Sequence, residues 1–281
     1  MTEPVRPVAG GTLYVVSTPI GNMGDFSFRA VETLKQVSAV LAEDTRHTRH
    51  LLARYDVETP LLAYHEHNEA RTTPALVARL VGGENFALVS DAGTPLLSDP
   101  GARLVKAAVD AGVPVTPIPG ASALLAALVA SGLDVGRFTF YGFLARKGRE
   151  RRETIEEIAA VRHAAVVYEA PARVADTLAE LARAGAGDRA TVVARELTKQ
   201  FEELRRGTLA DLAAYYDEAP PRGEVVIVIA GASSPSAATE DELRARAAEL
   251  RAAGLGARDV AAALVSELGA PRNLAYRLSH E

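Results

Sequence analysis

Short apolar runs rich in β-branched residues recur along the first half of the chain, each followed by a stretch whose apolar positions repeat at helical spacing. That alternation predicts parallel strands joined by crossover helices. The predicted strands are Thr12–Val16, Ser38–Ala42, Leu61–Tyr64, Phe86–Ser90 and Val113–Ile118. Val31, Leu34 and Val37, then Leu51 and Leu52, supply buried stripes for the helices between them. Ser98 or Asp99 ahead of Pro100 predicts a helix N-cap with proline in the first turn, and Gly112 is the expected C-terminal stop of that helix.

Beyond Gly132 the pattern changes. Predicted strands Phe138–Tyr141, Ala165–Tyr168, Thr191–Arg195, Glu203–Arg206 and Val225–Ala230 include neighbours separated by only a short gap, which points to a mixed sheet. Gly231–Ala238, with serines on both sides of Pro235, reads as a linker. Helical patterns at 240–253, 257–268 and 271–278 follow, separated by Gly254, Gly256 and Gly269. The expected organisation is therefore α/β: a mainly parallel domain over 1–122, a mixed-sheet domain over 123–231 and a helical segment over 232–281.

Composition narrows the chemistry. The 281 residues contain no cysteine, which excludes disulfides, thiolate metal sites and cysteine nucleophiles. The apolar stretch Ala121–Leu133 is broken by Ser122, Ser131 and Gly132 and is too short to cross a bilayer. Met1–Gly11 has no apolar run of the secretory kind, so a cytoplasmic location is expected. The net charge of −5 argues against a general nucleic-acid coat but leaves local basic patches open.

Three loops should lie at the carboxyl ends of parallel strands, where open α/β sheets bind ligands. They are Ser17–Asp25, Val89–Gly101 and Pro117–Ser122, all rich in Gly, Pro, Ser, Thr or Asp. None carries the dinucleotide or Walker glycine pattern. Taken singly each reads also as a tight turn, and Ser122 as an N-cap; the expectation of a pocket rests on their convergence. Glu43-Asp44-Thr45-Arg46-His47-Thr48-Arg49-His50 packs acids, arginines and histidines around a strand-to-helix junction. Arg46, Arg49 and His50 share a helical face suited to phosphates, with a solvated charged helix start as the alternative. Arg146, Lys147, Arg149, Arg151 and Arg152 surround a single acid, Glu150, and suggest a flexible anion-binding loop. A metal site from His47, His50, His65 and His67 is disfavoured by its basic neighbours, and no metal is expected. The helical segment 240–281 has six arginines and seven acids, so it offers little charge support for binding RNA by itself.

Together these stretches resemble the small-subunit ribosomal RNA 2'-O-methyltransferase I group of the tetrapyrrole methylase superfamily. The resemblance runs in order through Leu13–Asn22, Ala42–Thr48, His65–Glu69, Val89–Pro95, Ser98–Gly101, Pro119–Ser122, Tyr141–Leu144, Tyr168-Glu169 and Arg195–Lys199. It implies two α/β domains, a homodimer, S-adenosylmethionine as cofactor and methylation of a cytidine ribose in the decoding region of 16S rRNA in the small ribosomal subunit. Carried onto this sequence, the cofactor contacts would be Pro19, Asp91, Ala92, Gly93, Thr94, Leu96, Ala121, Ser122 and Tyr168. Ser90–Pro95 stands where small-molecule relatives have a G-D-P signature.

A ribose hydroxyl is a weak nucleophile, so some group must accept its proton. The candidates are Glu43, Asp44, Glu196 and a Lys199 whose pKa is lowered by neighbouring cations, with Lys199 and Glu196 preferred. Arg46, His47, Arg49, Arg146, Lys147, Arg149, Arg151 and Arg152 are the expected phosphate contacts. Two alternatives stand beside this reading: a methyltransferase for a small tetrapyrrole-type molecule, which needs no separated arginine clusters, and a ribosome-assembly module without turnover.

Overall fold

The structure is a computed structural model and describes residues 10–232 and 238–281. The expected lack of a leader in Met1–Gly11 and the expected linker Gly231–Ala238 fall largely outside the described residues. In chain order the elements are β1 (Leu13–Val16), α1 (Phe28–Gln36), β2 (Ala39–Ala42), α2 (Thr45–Arg54), β3 (Leu61–Ala63), α3 (Glu69–Val81), β4 (Phe86–Val89), α4 (Ala102–Asp110) and β5 (Val115–Ile118). Then come α5 (Ala123–Ser131), β6 (Phe138–Phe143), α6 (Arg149–Ala160), β7 (Ala164–Glu169), α7 (Val174–Leu181), β8 (Ala190–Arg195), β9 (Glu203–Thr208), α8 (Leu209–Glu218) and β10 (Val225–Ile229). The last are α9 (Glu240–Ala252), α10 (Ala257–Leu268) and α11 (Arg272–His280). The chain divides into one unit formed by the described residues up to Ala159 with His163–Ala230, and another formed by Ala160–Arg162 with Gly231–Glu281.

The first sheet has the order β3-β2-β4-β1-β5 and is parallel throughout. Its strands are covered on both faces, which explains their unbroken apolar runs. Val16, Val40, Ala87 and Val89 point to one core with Leu34, Leu51 and Leu52 of α1 and α2. Leu13, Leu41, Phe86 and Leu88 point to the other, with Leu76, Leu80 and Leu104 of α3 and α4. The chain leaves β1 in one direction to build β2, β3 and β4, then crosses to β5 on its other side. The carboxyl end of β1 is thus a switch point of the sheet, the position at which such sheets open a crevice.

The second sheet has the order β6-β7-β10-β8-β9, with β6 parallel to β7 and the remaining pairs antiparallel. Leu124, Ala127 and Leu128 of α5 pack on Val166, Ala194, Val226 and Val228 of this sheet. Arg206 of β9 donates to the Ser131 and Ala130 carbonyls at 3.1 and 2.5 Å, satisfying the last turn of α5. A register shift between Phe140 and Phe143 bends the end of β6.

The second unit has its own core of Leu243, Leu250, Val260, Leu264, Ala275 and Leu278. Thr239 and Glu242 form a reciprocal capping box at the start of α9. Among the described residues no helix is long and apolar enough to cross a membrane.

One local expectation is corrected. Neither Ser98 nor Asp99 caps α4; the N-cap is Gly101, with no side-chain bond. Ser98 takes a positive φ of 71°, which turns the segment away from the helix axis and leaves Asp99 facing the cleft described below. Gly101 itself has φ 127°, and a Cβ there would stand 2.5 Å from Leu88 Cδ2. Gly101→Ala is therefore expected to lower stability by about 1–3 kcal/mol, read as a lower urea midpoint with an unchanged slope. A midpoint equal to wild type would show that this turn is not held by the glycine.

Candidate functional site

The loops that leave β1, β4 and β5 meet in one network. Thr18 and Gly93 exchange both backbone hydrogen bonds, at 2.8 and 3.1 Å, as an antiparallel bridge between loops that leave parallel strands. The Thr18 hydroxyl donates to the Ser90 carbonyl at 3.2 Å. Ser17 and Thr94 hydroxyls lie 3.0 Å apart, and Thr94 donates to the Ala121 carbonyl at 3.1 Å. Gly120 packs so closely that a Cβ would meet Ser17 Cβ at 3.0 Å. Small and hydroxylated residues are required here because the backbones touch.

These loops and the end of the second sheet enclose a cleft of about 420 Å³, within the range of small-molecule sites. Ile20, Ala123, Phe143, Val225 and Val226 give it an apolar lining, and Glu43, Asp91 and Asp99 give it a negative wall. Tyr168 also lines it; its hydroxyl accepts the Leu124 N–H at 3.1 Å, and burial raises its pKa. Phe143, exposed at 57%, meets Tyr168 edge to face at 5.6 Å and forms an aromatic lip. Glu169 also lines the cleft but is committed elsewhere, accepting from Thr177 at 2.6 Å and pairing with Arg173 at 3.3 Å.

The negative wall is electrostatically uneasy. Burial, then the charges of Glu43 and Asp91, push the Asp99 carboxyl up to about 6. Burial and Asp91 likewise raise Glu43, with His65 opposing. A cleft with this wall suits a ligand that carries positive charge next to an apolar body. Among the described residues, no group of three or more His, Asp or Glu could hold a metal ion.

Lys199 lies outside the lining, at the rim. Its ammonium donates to Glu196 and Glu224, each at 3.0 Å, and its side chain covers Gly21, where a Cβ would collide with Lys199 Cγ. Thr198 accepts the Asn22 N–H at 3.1 Å, tying this loop to the one after β1. Burial alone would lower the Lys199 pKa, but the two carboxylates outweigh it and hold it above the ordinary lysine value. The expectation of a lysine lowered by neighbouring cations is thus corrected: its neighbours are anions. The Glu224 N–H and then Lys199 hold Glu196 below the usual carboxylate range. Leu96, Ser98, Glu196 and Thr198, four of the five non-glycine residues with positive φ among the described residues, fall in the two loops at this cleft. Such backbone is uncommon and concentrates at functional sites.

The remaining expected residues separate by exposure. Asp44 is the N-cap of α2, accepts from the Arg46 and His47 N–H groups, and is held near pH 2, first by its hydrogen bond to the Arg46 side chain. Its own N–H donates to Asp91 at 3.0 Å, which fastens α2 to the cleft. Arg46, His47, Arg49 and His50 are exposed along α2. Arg146 and Lys147 are exposed in a short turn, but Arg149, Arg151 and Arg152 belong to α6, so the expected loop is mostly helix. Arg149 pairs with Glu153 at 2.6 Å and Arg152 is exposed. Arg151 is corrected from a phosphate contact to a structural cation: it is 6% exposed, and it donates to Glu180, Thr177 and the Ala145 carbonyl.

Asp91, Ala92, Gly93, Thr94, Ser122 and Tyr168 all line the cleft, Ser122 doubling as the N-cap of α5. Pro19, Leu96 and Ala121 flank it without lining it. Sequence reasoning passed over Asp99, Phe143, Leu97 and Glu224. Asp99 was masked by the capping pattern before Pro100. Phe143 lies in a motif noted only for its order, and no short-range signal marks Glu224.

Comparison with known proteins fits this geometry. Residues 12–213 match the model for Tetrapyrrole (Corrin/Porphyrin) Methylases. A Ribosomal RNA small subunit methyltransferase I from Synechocystis sp. is 46% identical over 273 residues, covering 96% of this chain and 98% of the relative. The protein of the same name from Bacillus subtilis is 45% identical over 83% of this chain and 79% of its own length. Among solved structures, a uroporphyrin-III C-methyl transferase from Thermus thermophilus, complexed with S-adenosyl homocysteine, superposes with a TM-score of 0.58. Its identity is 20%, over 79% of this chain and 97% of that one. A diphthine synthase gives 0.60 at 16% identity, over 78% and 89%. These structural matches establish the fold.

The raised carboxyl has a measurable consequence. The native state holds a proton on Asp99 up to about pH 6, whereas an unfolded aspartate releases it near 3.8. More protons are then bound by the native than by the unfolded chain in that window, so stability contributed by this group falls as pH rises from about 4 to 6. Asp99→Asn is expected to flatten this part of the profile of urea midpoint against pH. Superimposable profiles for variant and wild type would contradict the assignment.

Proposed function

Because the chain belongs to the tetrapyrrole (corrin/porphyrin) methylase family, and within it to the ribosomal RNA small subunit methyltransferase I group, we propose that it methylates 16S rRNA in the small ribosomal subunit. The methyl donor is S-adenosylmethionine and the proposed acceptor is the ribose 2'-hydroxyl of a cytidine in the decoding region. One observation carries the reading: the Asp44 N–H bond to Asp91 joins an acidic, partly apolar cleft to a helix start bearing exposed Arg46, His47, Arg49 and His50. A cationic small molecule and a polyanion therefore have adjoining surfaces of opposite sign.

The cleft residues fit the donor. Its sulfonium and ammonium charges are complemented by Glu43, Asp91 and Asp99, its apolar parts by Ile20, Ala123, Val225 and Val226, and its polar edges by the backbone around Gly93 and Thr94. When bound, the cofactor supplies an electrophilic methyl group. The chain's own contribution is to hold the ribose oxygen in line with that methyl and to exclude water, which accounts for much of the rate of such a transfer. Lys199, kept charged by Glu196 and Glu224 over Gly21, is assigned the positioning of a substrate phosphate at the rim. Arg46, His47, Arg49, Arg146, Lys147 and Arg152 extend the phosphate-binding surface. A homodimer in the cytoplasm belongs to the same reading, and the exposed apolar side chains Leu125 and Val129 on α5 support an interface there.

The test is transfer of labelled methyl from S-adenosylmethionine to small subunits that lack the modification, followed by nuclease mapping. The expected label lies on the 2'-oxygen of one decoding-region cytidine. Label on a base, or none in subunits and free rRNA, would overturn the reading; in the latter case, cofactor binding without transfer would favour a small-molecule acceptor and no binding an assembly module. In the same assay, replacing Arg46 and Arg49 by alanine is expected to raise KM for subunits and to reduce its salt dependence by roughly one to two phosphate contacts. An unchanged KM would remove α2 from the RNA surface.

A further inference from the structure

Building on the ribosomal RNA reading, we propose that the outward face of α11, formed by Arg272, Asn273, Tyr276 and His280, is a further RNA-binding surface of the chain.

Ala275, Leu278 and Ser279 turn one side of α11 into the core of the helical unit, with Leu274 packed at its margin. At about 3.6 residues per turn the opposite side carries Asn273, Tyr276 and His280, with Arg272 on one flank and Arg277 on the other. All five are exposed. Tyr276 is 65% exposed, and its ring meets that of His280 edge to face at 4.6 Å. An open ring held on a helix with a formed core is a surface on which an unstacked base can lie. The helix follows α10 after only Gly269, Ala270 and Pro271, with Gly269 in the left-handed region at φ 65°. Two helices joined by so short a glycine turn present the second one to nucleic acid in many binding modules.

Charge complementarity selects the partner. The near balance of arginines and acids over 240–281 hides how those charges are placed. Arg244 pairs with Glu240, Asp241 and Glu281, Arg246 with Glu249 and Glu267, and Arg277 with Glu240. Glu242 is held in the capping box of α9. The negative charge of the unit is thus gathered around three arginines, of which Arg277 is the paired edge of the α11 face. Among the described residues, Arg272 on the other edge has no acid within ion-pair distance. Its free cation beside an open aromatic pair suits a phosphate and a base together. Asn273 and His280 add polar groups that can reach base edges or 2'-hydroxyls. The face has no contiguous aliphatic surface of the kind that a stable protein interface buries at its centre.

The experiment measures binding of the full chain to a 16S rRNA transcript and to small ribosomal subunits over a range of salt, with S-adenosylmethionine affinity measured alongside by calorimetry. Tyr276→Ala is expected to bind the transcript roughly 5- to 150-fold more weakly, and Tyr276→Phe, which keeps the ring, to bind it as wild type does. Arg272→Ala is expected to lower the slope of log affinity against log salt by about one phosphate contact. Arg246→Ala removes the same charge from a paired position and should change neither quantity. Cofactor affinity should stay at the wild-type value in all four variants. A double variant, Tyr276→Ala with Arg272→Ala, that binds the transcript within about twofold of wild type would overturn the proposal. So would an equal loss in Arg246→Ala, which would make net charge responsible in place of this face. Loss confined to subunits, with transcript binding intact, would give the face to a ribosomal protein, and a changed sedimentation of the free chain would give it to a second copy; either result contradicts the assignment. If Tyr276→Ala unfolds the helical unit, the exposed charge reversal Arg272→Glu decides, and unchanged transcript binding in it is the contradicting result. A chain that binds the transcript through Tyr276 and methylates no rRNA removes the methyl-transfer reading and keeps the surface. Methylation by wild type with undiminished binding in the double variant removes only the surface.

Discussion

Parallel strands end with their backbone groups pointing outward, and nothing in the sheet itself dictates where the following loops go. Here the paired backbone bonds between Thr18 and Gly93 supply that constraint. They run antiparallel across loops whose parent strands are parallel, so both loops must turn back towards each other. Thr94 then reaches the third loop through Ala121, and Ser17 bears on both. With the loops fixed, the cleft has walls, and its carboxylates are forced into proximity.

That proximity gives the site its electrostatic character. Glu43, Asp91 and Asp99 come from two strand ends and, among the described residues, have no counter-charge in the cleft lining, while Glu196, Glu224 and Asp44 nearby are each tied to a cation or a helix end. An unpaired, half-buried carboxylate is unfavourable in the free chain and becomes favourable when a cation enters. The same arrangement thus serves binding of a cationic cofactor. Strain is distributed accordingly: Leu96 and Ser98 on one loop, Glu196 and Thr198 on the other.

Much of this was legible in the sequence. Alternation of apolar runs with helical periods located the strands to within a residue or two, because strands buried on both faces leave an unbroken apolar signature. Parallel topology placed the three loops at one edge of the sheet, and the Thr18–Gly93 bridge joins two of them there. What was hidden depends on side-chain environment. A basic run does not reveal that Arg151 points inward while Arg152 points out; only the packing of α6 against Thr177 and Glu180 decides that. The neighbours of Lys199 include Glu224, twenty-five residues away in sequence and adjacent in space through the pairing of β8 with β10. Asp99 carried a local capping pattern that the positive φ at Ser98 defeats, and backbone handedness at a serine has no compositional marker.

The central claim is that the cleft discriminates by charge. Calorimetric titration with S-adenosylmethionine and S-adenosylhomocysteine, which differ by one methyl and one positive charge, measures this directly at pH 5 and pH 8. The account predicts that the preference for the sulfonium compound grows several-fold as Asp99 ionises between those values. A ratio of affinities that is the same at both would contradict it.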